Sequence, residues 1–429
     1  MTINTYLINI KYFWHLFLII WNRQFTTPFR LSDLLEQEAS LHWLHYNMCL
    51  SMLSALLRWD VAFPPRAVTI FTNNLIHDNG IIRRASIHVV ACVLKQHKRK
   101  HLKIKIKYGD VYSNANQIHA NGNGHCEHVT NGNMTNGNSK HTDLLVQPGE
   151  RDDNKWLQYS SDNKPLDPES YDEPRYLHRQ YYGFYAWPQE DLVYAPNCHQ
   201  PPLDRSSKDM PEAEKIIFNF FCDAKNVQKL VEFLSLEQKM GNDHFGVDRF
   251  LLFKGLFRNF GDSFLTLLRP HIEKLVADHR ESHQRAATEM IAGLVRGSKH
   301  WNFQKVEGLW NWITPTLKQA LLKVSPETIR DWGTCFATSS ENRDPNKLHW
   351  LMELVMEEPI RNQGSFIDCS RLYVLQGVLT QQRWRVGELH RRLISFIMPF
   401  LDHPYQNVRL VCLSLLSWPF FTERIFYIR

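Results

Sequence analysis

The densest chemistry in this 429-residue chain is a run of cations. From Lys95 to Lys107 the sequence KQHKRKHLKIKIK carries Lys95, Lys98, Arg99, Lys100, Lys103, Lys105 and Lys107 and no acid. Like charges packed this densely repel one another unless water, salt or a bound anion screens them. Two readings fit. The run is a solvated helix end and loop, favoured by the negative end of a helix dipole, or it is a polyanion site for a phosphate-rich small molecule or nucleic acid. The rest of the chain holds 43 basic and 44 acidic residues, so this run is the source of the net charge of +6. A protein that coats nucleic acid spreads its cations along a stripe, so no direct nucleic-acid partner is expected from a chain that is otherwise neutral.

Other chemistry is sparse. The chain contains no G-x-S-x-G, no G-x-x-x-x-G-K-[ST], no H-E-x-x-H and no dinucleotide fingerprint. His125, Cys126 and His128 sit in glycine-rich sequence with no second ligand pair at fixed spacing, so no metal site is expected there. The 21 histidines show no recurrent carboxylate, Ser or Cys partner, and the His42-Trp43, His300-Trp301 and His349-Trp350 steps read as packing at repeat boundaries. No catalytic residue and no cofactor is expected. The eight cysteines are dispersed without a C-x-x-C pair and read as reduced packing residues of an intracellular protein.

The elements that position these residues are helices in pairs. From Phe264 to Trp301, Leu265, Leu268, Ile272, Leu275 and Val276 recur at helical spacing, then Ala287, Met290, Ile291, Leu294 and Val295 do the same. The break between them is Asp278-His279-Arg280-Glu281-Ser282, where Ser282 is placed to cap the second helix. PHIEKLVADHRESHQR, starting at Pro270, aligns without a gap with PTLKQALLKVSPETIR, starting at Pro315, and brings Arg285 onto Arg330 at an offset of 45 residues. Looser copies run from Val68 to Leu94, with Asp78 before the turn and Arg84 after it, and from Ile394 to Leu416, with Asp402 and Arg409. Helix pairs at this period predict an all-α fold, a HEAT or armadillo-like α-solenoid in which each pair buries its apolar face against the next.

In chain order, residues 1–35 begin with an apolar stretch at 7–20 that Lys11 and His15 interrupt, too short and too charged for a spanning helix. A buried or partner-facing helix is expected there, and no membrane partner. Residues 36–107 form HEAT-like helices. Residues 108–150 are an Asn/Gly-rich insertion with no apolar period, expected to be disordered. Its Asn133-Met134-Thr135 sequon would go unused in an intracellular chain. Residues 151–211 are an aromatic and Pro-rich connector, in which Tyr181, Tyr182, Phe184, Tyr185 and Trp187 read as anchors against the solenoid or as a peptide-binding patch. HEAT-like repeats resume over 212–416, and in the tail, 417–429, Pro419 argues against a continuing helix. No polar capping repeat closes the array, so an apolar face near Leu410 to Phe421 is expected to need a cover.

The string from Gly261 to Trp312, GDSFLTLLRPHIEKLVADHRESHQRAATEMIAGLVRGSKHWNFQKVEGLWNW, closely resembles the family of large HEAT-repeat proteasome activators, the proteasome activator complex subunit 4 family. So do DWGTCFATSSENRDPNKLHWLMELV, CSRLYVLQGVLTQQRWRV, KWLQY at Lys155 and YYGFYAWPQEDLVYAP at Tyr181. The resemblance covers roughly Leu41 to Leu416 apart from the insertion and corresponds to an interior part of a much longer protein. It implies a dome-like solenoid that caps the core proteasome, opens its gate, and acts in nucleus and cytosol, including on acetylated histones. It also implies inositol phosphate binding through basic clusters. The family's gate-opening tail has Tyr as its penultimate residue where this sequence has Ile428, and the family's acetyl-lysine-reading segment has no counterpart here. The 429 residues alone are therefore expected not to open a gate, and the unmatched ends, 1 to about 35 and 417–429, are expected to be those of a truncated, divergent or wrongly joined gene product.

Overall fold

The computed structural model describes parts of residues 31–35, then 43–58, 61–98, 100–107, scattered positions between 159 and 201, 209–236, 244–342, 346–357, 364–382 and 387–427, with isolated gaps. The apolar stretch at 7–20, the Asn/Gly-rich insertion and the aromatic anchors expected at Tyr181 to Trp187 lie outside the described residues. The α-helices are α1 (Trp43–Ala55), α2 (Pro65–Asn73), α3 (Gly80–Gln96), α4 (Glu212–Cys222), α5 (Ala224–Leu234), α6 (Val247–Phe260) and α7 (Leu265–Ala277). They continue with α8 (Glu281–Gly297), α9 (Phe303–Leu322), α10 (Ile329–Ser339), α11 (His349–Met356), α12 (Ser365–Gln382), α13 (Gly387–Ile397) and α14 (Gln406–Tyr427). The fold is all-α, as the repeats predict. Its described β-structure is a single local addition, an antiparallel pair of β1 (Lys103–Lys107) and β2 (Glu190–Tyr194).

The chain divides into two compact units. The first, residues 1–99, 202–301 and 322–335, has a core of aromatic rings and close helix contacts. Phe218, Phe221, Phe260 and Phe264 meet with ring centroids 5.2 to 5.7 Å apart. Gly255 of α6 lies against Leu94 of α3, so close that a Cβ there would stand 2.8 Å from the Leu94 Cβ. Beside it the Asn259 amide donates to the Leu94 carbonyl at 2.8 Å, which closes a buried backbone acceptor at the end of α3. Trp301, fully buried, donates its indole N–H to the Phe257 carbonyl at 3.0 Å, the boundary packing expected of a His-Trp step. Trp43 is instead exposed.

The second unit, residues 100–201, 302–321 and 336–429, gathers its aromatics around Trp350. Trp310 stacks on it with the ring planes 5° apart, and Phe303 and Tyr171 complete the cluster. The connector is pinned here by two tyrosines that sequence reading passed over. Tyr171 packs on Phe303 and Trp350, and the Tyr159 hydroxyl donates to Glu353 Oε1 at 2.9 Å, 3.4 Å from His349 Nδ1. Helix α14 runs through Pro419, against expectation. Pro270 and Pro315 likewise lie inside α7 and α9, each position giving up one amide donor while the flanking turns hold the helix.

The helix pairs share a turn device. At α2–α3 His77 Nδ1 accepts the Asn79 N–H at 2.9 Å, and Arg83 donates to the carbonyls of His77 and Asp78, both at 2.7 Å. At α13–α14 His403 Nδ1 accepts the Tyr405 N–H at 3.2 Å, and Arg409 donates to the carbonyls of His403 and Pro404. At α7–α8 Asp278 Oδ1 accepts the Arg280 N–H at 2.9 Å, and the Gln284 amide donates to the carbonyls of Val276 and Asp278. In each turn a first side chain takes the amide two residues on, and a side chain six residues on satisfies its carbonyl. These contacts correct the expected Ser282 cap and tell the arginines of the repeats apart. The residue that closes the first turn is the buried Arg83, not the exposed Arg84. Ser282 lies inside α8 and caps nothing, because Asp278 organises the turn. Arg285 is buried and pairs with Glu281 at 3.2 Å, whereas Arg330 is exposed, so the aligned arginines are not equivalent in role.

Candidate functional site

The basic run begins as the last turn of α3. Lys95 is exposed there, where its ammonium complements the unpaired carbonyls of the helix end, and Lys98 and Lys100 are exposed in the chain that follows. Arg99 lies outside the described residues. The run then does what neither sequence reading foresaw: Lys103, Lys105 and Lys107 occupy alternate positions of the strand β1. The pattern K-I-K-I-K was the available signal, since strict alternation of polar and β-branched residues has the period of a strand. The partner strand could not be found the same way, because it lies in a distant segment. Pairing sets Lys103 opposite Tyr194, Lys105 opposite Leu192 and Lys107 opposite Glu190, so an acid stands across from one end of the run.

Gln200 fastens the start of this sheet. Its Oε1 accepts the Leu102 N–H at 2.8 Å, and its amide donates to the carbonyls of Leu102 at 3.0 Å and Ala195 at 2.8 Å. The boundary between the two compact units falls between Arg99 and Lys100. Lys95 and Lys98 therefore belong to the first unit, and Lys100, Lys103, Lys105 and Lys107 to the second. The strand sets lysines at every second backbone position, and that spacing is the part of the run with the regularity to meet an extended array of anionic groups.

A second polar cluster lies in the first unit, and sequence reading missed it. His88 of α3 holds Asp248 of α6 at 3.0 Å through Nδ1, and Cys92, one turn further along α3, sets its Sγ 3.8 Å from His88 Nε2. The 21 histidines show no recurrent partner in the sequence, but this one gains a carboxylate and a thiol in the fold. His88 and Cys92 at i and i+4 were visible in the sequence. Asp248, 160 residues away from His88, was not. Its helix start is tied down by two carboxylates, since Glu289 accepts the Gly246 N–H at 2.6 Å and Asp331 the Phe245 N–H at 3.0 Å. Burial raises both carboxyls above their ordinary range, Glu289 to about 7.

The described cysteines Cys49, Cys92, Cys222, Cys335, Cys369 and Cys412 lie inside helices and form no disulfide with one another. Among the described residues no helix is long and apolar enough to cross a membrane.

Comparison with known proteins places the turns and the core in context. A protein-family model described as "Proteasome activator complex subunit 4-like, HEAT repeat-like" matches residues 66–377. The Bos taurus and Homo sapiens proteins named Proteasome activator complex subunit 4 are each 45% identical to this chain over 394 residues. Proteasome activator complex subunit 4A of Danio rerio is 41% identical over 396 residues. In each case the match covers 92% of this chain and 20% of the relative, so the chain spans about a fifth of the length of the curated relatives it matches. With the helix pairs, their shared turns and a family match over most of its length, this chain belongs to the proteasome activator complex subunit 4-like family of HEAT-repeat proteins.

Proposed function

We propose that this chain is a non-catalytic wall segment of a HEAT-repeat activator that caps the core proteasome. In this reading it promotes ubiquitin-independent degradation of peptides and proteins, acetylated histones included, in nucleus and cytoplasm. The observation that carries the reading is the 45% identity over 92% of the chain to proteins whose printed name is that of a proteasome activator subunit. Stacked helix pairs build walls, and a wall acts by what it touches rather than by bond-making chemistry. The core proteasome is the expected partner. Histones would be met through parts of the relatives that this chain does not match.

Core proteasome subunits are expected to co-purify with the tagged protein, and purified protein is expected to show no peptide hydrolysis of its own. A second reading, a HEAT-repeat adaptor between other proteins, is favoured by the apolar side chains exposed on α12 and α14. Phe366 and Tyr373 are exposed on the first helix, and Leu410 and Leu413, at 54% and 53% exposure, on the second. Capture without any core subunit would support the adaptor over the activator.

For the basic run we propose binding of a polyanion of the inositol phosphate class as a structural ligand, by Lys95, Lys98, Arg99, Lys100, Lys103, Lys105 and Lys107. The alternate lysines of β1 support it. Replacing Lys98, Arg99, Lys100 and Lys103 by Gln is expected to lower inositol hexakisphosphate affinity at least about tenfold at physiological salt, as loss of several charge contacts does. Equal affinity by calorimetry would return the run to a solvated surface.

A further inference from the structure

The His88–Cys92–Asp248 cluster has the geometry of an activated nucleophile. A carboxylate only accepts hydrogen bonds, so the 3.0 Å contact to Asp248 requires the His88 proton to sit on Nδ1. That leaves the Nε2 lone pair facing the Cys92 sulfur at 3.8 Å. Nucleophile, base and orienting acid thus stand in line, the relation that converts a poorly nucleophilic group into a reactive one.

Three features hold and bias this line. The two helices that carry it are locked by the contact of Gly255 with Leu94 and the Asn259 hydrogen bond. Asp248 sits in the first turn of α6, directly after the amides of Phe245 and Gly246 that Asp331 and Glu289 hold. Lys95, exposed and three residues beyond Cys92, lies on the same stripe of α3 as His88 and Cys92. Burial and the Asp248 carboxylate push the Cys92 thiol up while Lys95 pulls it down, so the sulfur is met as a thiol and needs a base beside it. The opposite case is Cys222, more exposed but set at the end of α4, and also raised by burial.

We propose that Cys92 is a reactive thiol that forms a mixed disulfide with small anionic disulfides of the glutathione type, with His88 as its base, Asp248 as the positioning residue and Lys95 as the cation that attracts the reagent. The step balances without another reactant. The Cys92 S–H proton passes to His88 Nε2 as the sulfur attacks one sulfur of the disulfide, a new S–S bond forms and the old one breaks. The departing thiolate takes the proton from His88 and leaves as one equivalent of thiol. The product places a bulky anionic group on the surface of the α3–α6 helix pair, and reduction by excess thiol reverses it.

The test uses the full chain with glutathione disulfide, reading mixed disulfide at each cysteine by peptide-resolved mass spectrometry. Cys92 is expected to react about a hundredfold faster than the more exposed Cys222, the low end of what a positioned base supplies. His88→Gln should remove that advantage and leave the Cys222 rate unchanged. Asp248→Ala should lower the Cys92 rate and Asp248→Glu should recover part of it, a rescue that a purely structural role would not give. Lys95→Gln should slow glutathione disulfide more than the neutral 2-hydroxyethyl disulfide. A Cys92 rate no greater than that of Cys222 in the unmodified sequence, or the same Cys92 rate in His88→Gln, overturns the proposal. Neither result bears on proteasome binding, so the two readings fail separately.

Discussion

Gly293→Ala is expected to destabilise the first unit by about 3 kcal/mol, the upper part of the usual cost of overpacking a core. Gly293 and Gly297 lie one turn apart on α8 and face α6. A Cβ on Gly293 would stand 2.5 Å from the Phe253 Cβ and 2.9 Å from the Lys254 amide nitrogen, and one on Gly297 would stand 2.5 Å from the Phe257 Cβ. These neighbours are backbone and first side-chain atoms, which cannot swing away as the tip of a long side chain can. The two helices must therefore separate, and the ring packing of Phe253 and Phe257, both fully buried, opens with them. Helix propensity acts in the opposite direction, since alanine is the better helix former by about 1 kcal/mol. Gly308 of α9 supplies the control, because a Cβ there meets nothing within 4 Å. Gly308→Ala should raise stability by about that propensity difference. Denaturation followed by circular dichroism checks both signs. The double substitution at Gly293 and Gly297 should cost more than either alone, as the sites share one interface. A Gly293→Ala protein as stable as the parent would mean that α6 and α8 sit further apart than described.

What the sequence discloses about this fold is what its local periodicity can carry. Leu268, Ile272, Leu275 and Val276 recur at helical spacing because one face of α7 must be dry, and all four are buried. Met290, Ile291 and Leu294 repeat the pattern in α8. The rest depends on contacts between distant segments, which periodicity does not encode. The lysines at Lys103, Lys105 and Lys107 become a strand through the partner at Glu190–Tyr194 and the Gln200 amide. Arg83 rather than Arg84 closes its turn because the fold buries Arg83 and sets its guanidinium over the Phe233 ring, 4.1 Å from the centroid. Pro419 departs from the local rule that proline ends helices, since α14 passes through it, as α7 and α9 pass through Pro270 and Pro315. For the candidate sites the same division holds. The charge of the basic run is plain in the sequence, whereas the partner that makes Cys92 and His88 more than neighbours on a helix comes from α6.

Glu289→Ala should destabilise the same unit by about 3–5 kcal/mol, the cost of leaving buried cationic groups without their partner. The Glu289 side chain has no exposed surface; its Oε1 accepts the Gly246 N–H at 2.6 Å, and its Oε2 lies 3.4 Å from Arg249 Nη1. Removing the carboxylate strands the Gly246 amide, weakens the hold on Arg249 and Arg285, and frees the start of α6. The contact with Arg249 has the form of an ion pair, but it is long. Burial outweighs it, raising the Glu289 carboxyl from 4.5 to about 7 against the pull of Arg249, the Gly246 amide and Arg285. A carboxyl that holds its proton more tightly folded than unfolded makes the native state the greater proton binder between those two values. The unfolding free energy therefore falls as pH rises from about 4.5 to about 7, and its contribution is flat above. A shift of this size corresponds to about 3 kcal/mol over the window. Asp331, raised by burial as well, adds a change of the same sign. Glu289→Gln separates the two effects, because its amide oxygen can still accept the Gly246 N–H but cannot titrate. The difference in unfolding free energy between the parent and Glu289→Gln should thus shift steadily against the parent from pH 5 to pH 7 and stop changing above. A difference independent of pH across that range would mean that the carboxylate stays ionised throughout, with Arg249 and Arg285 supplying enough charge to offset its burial.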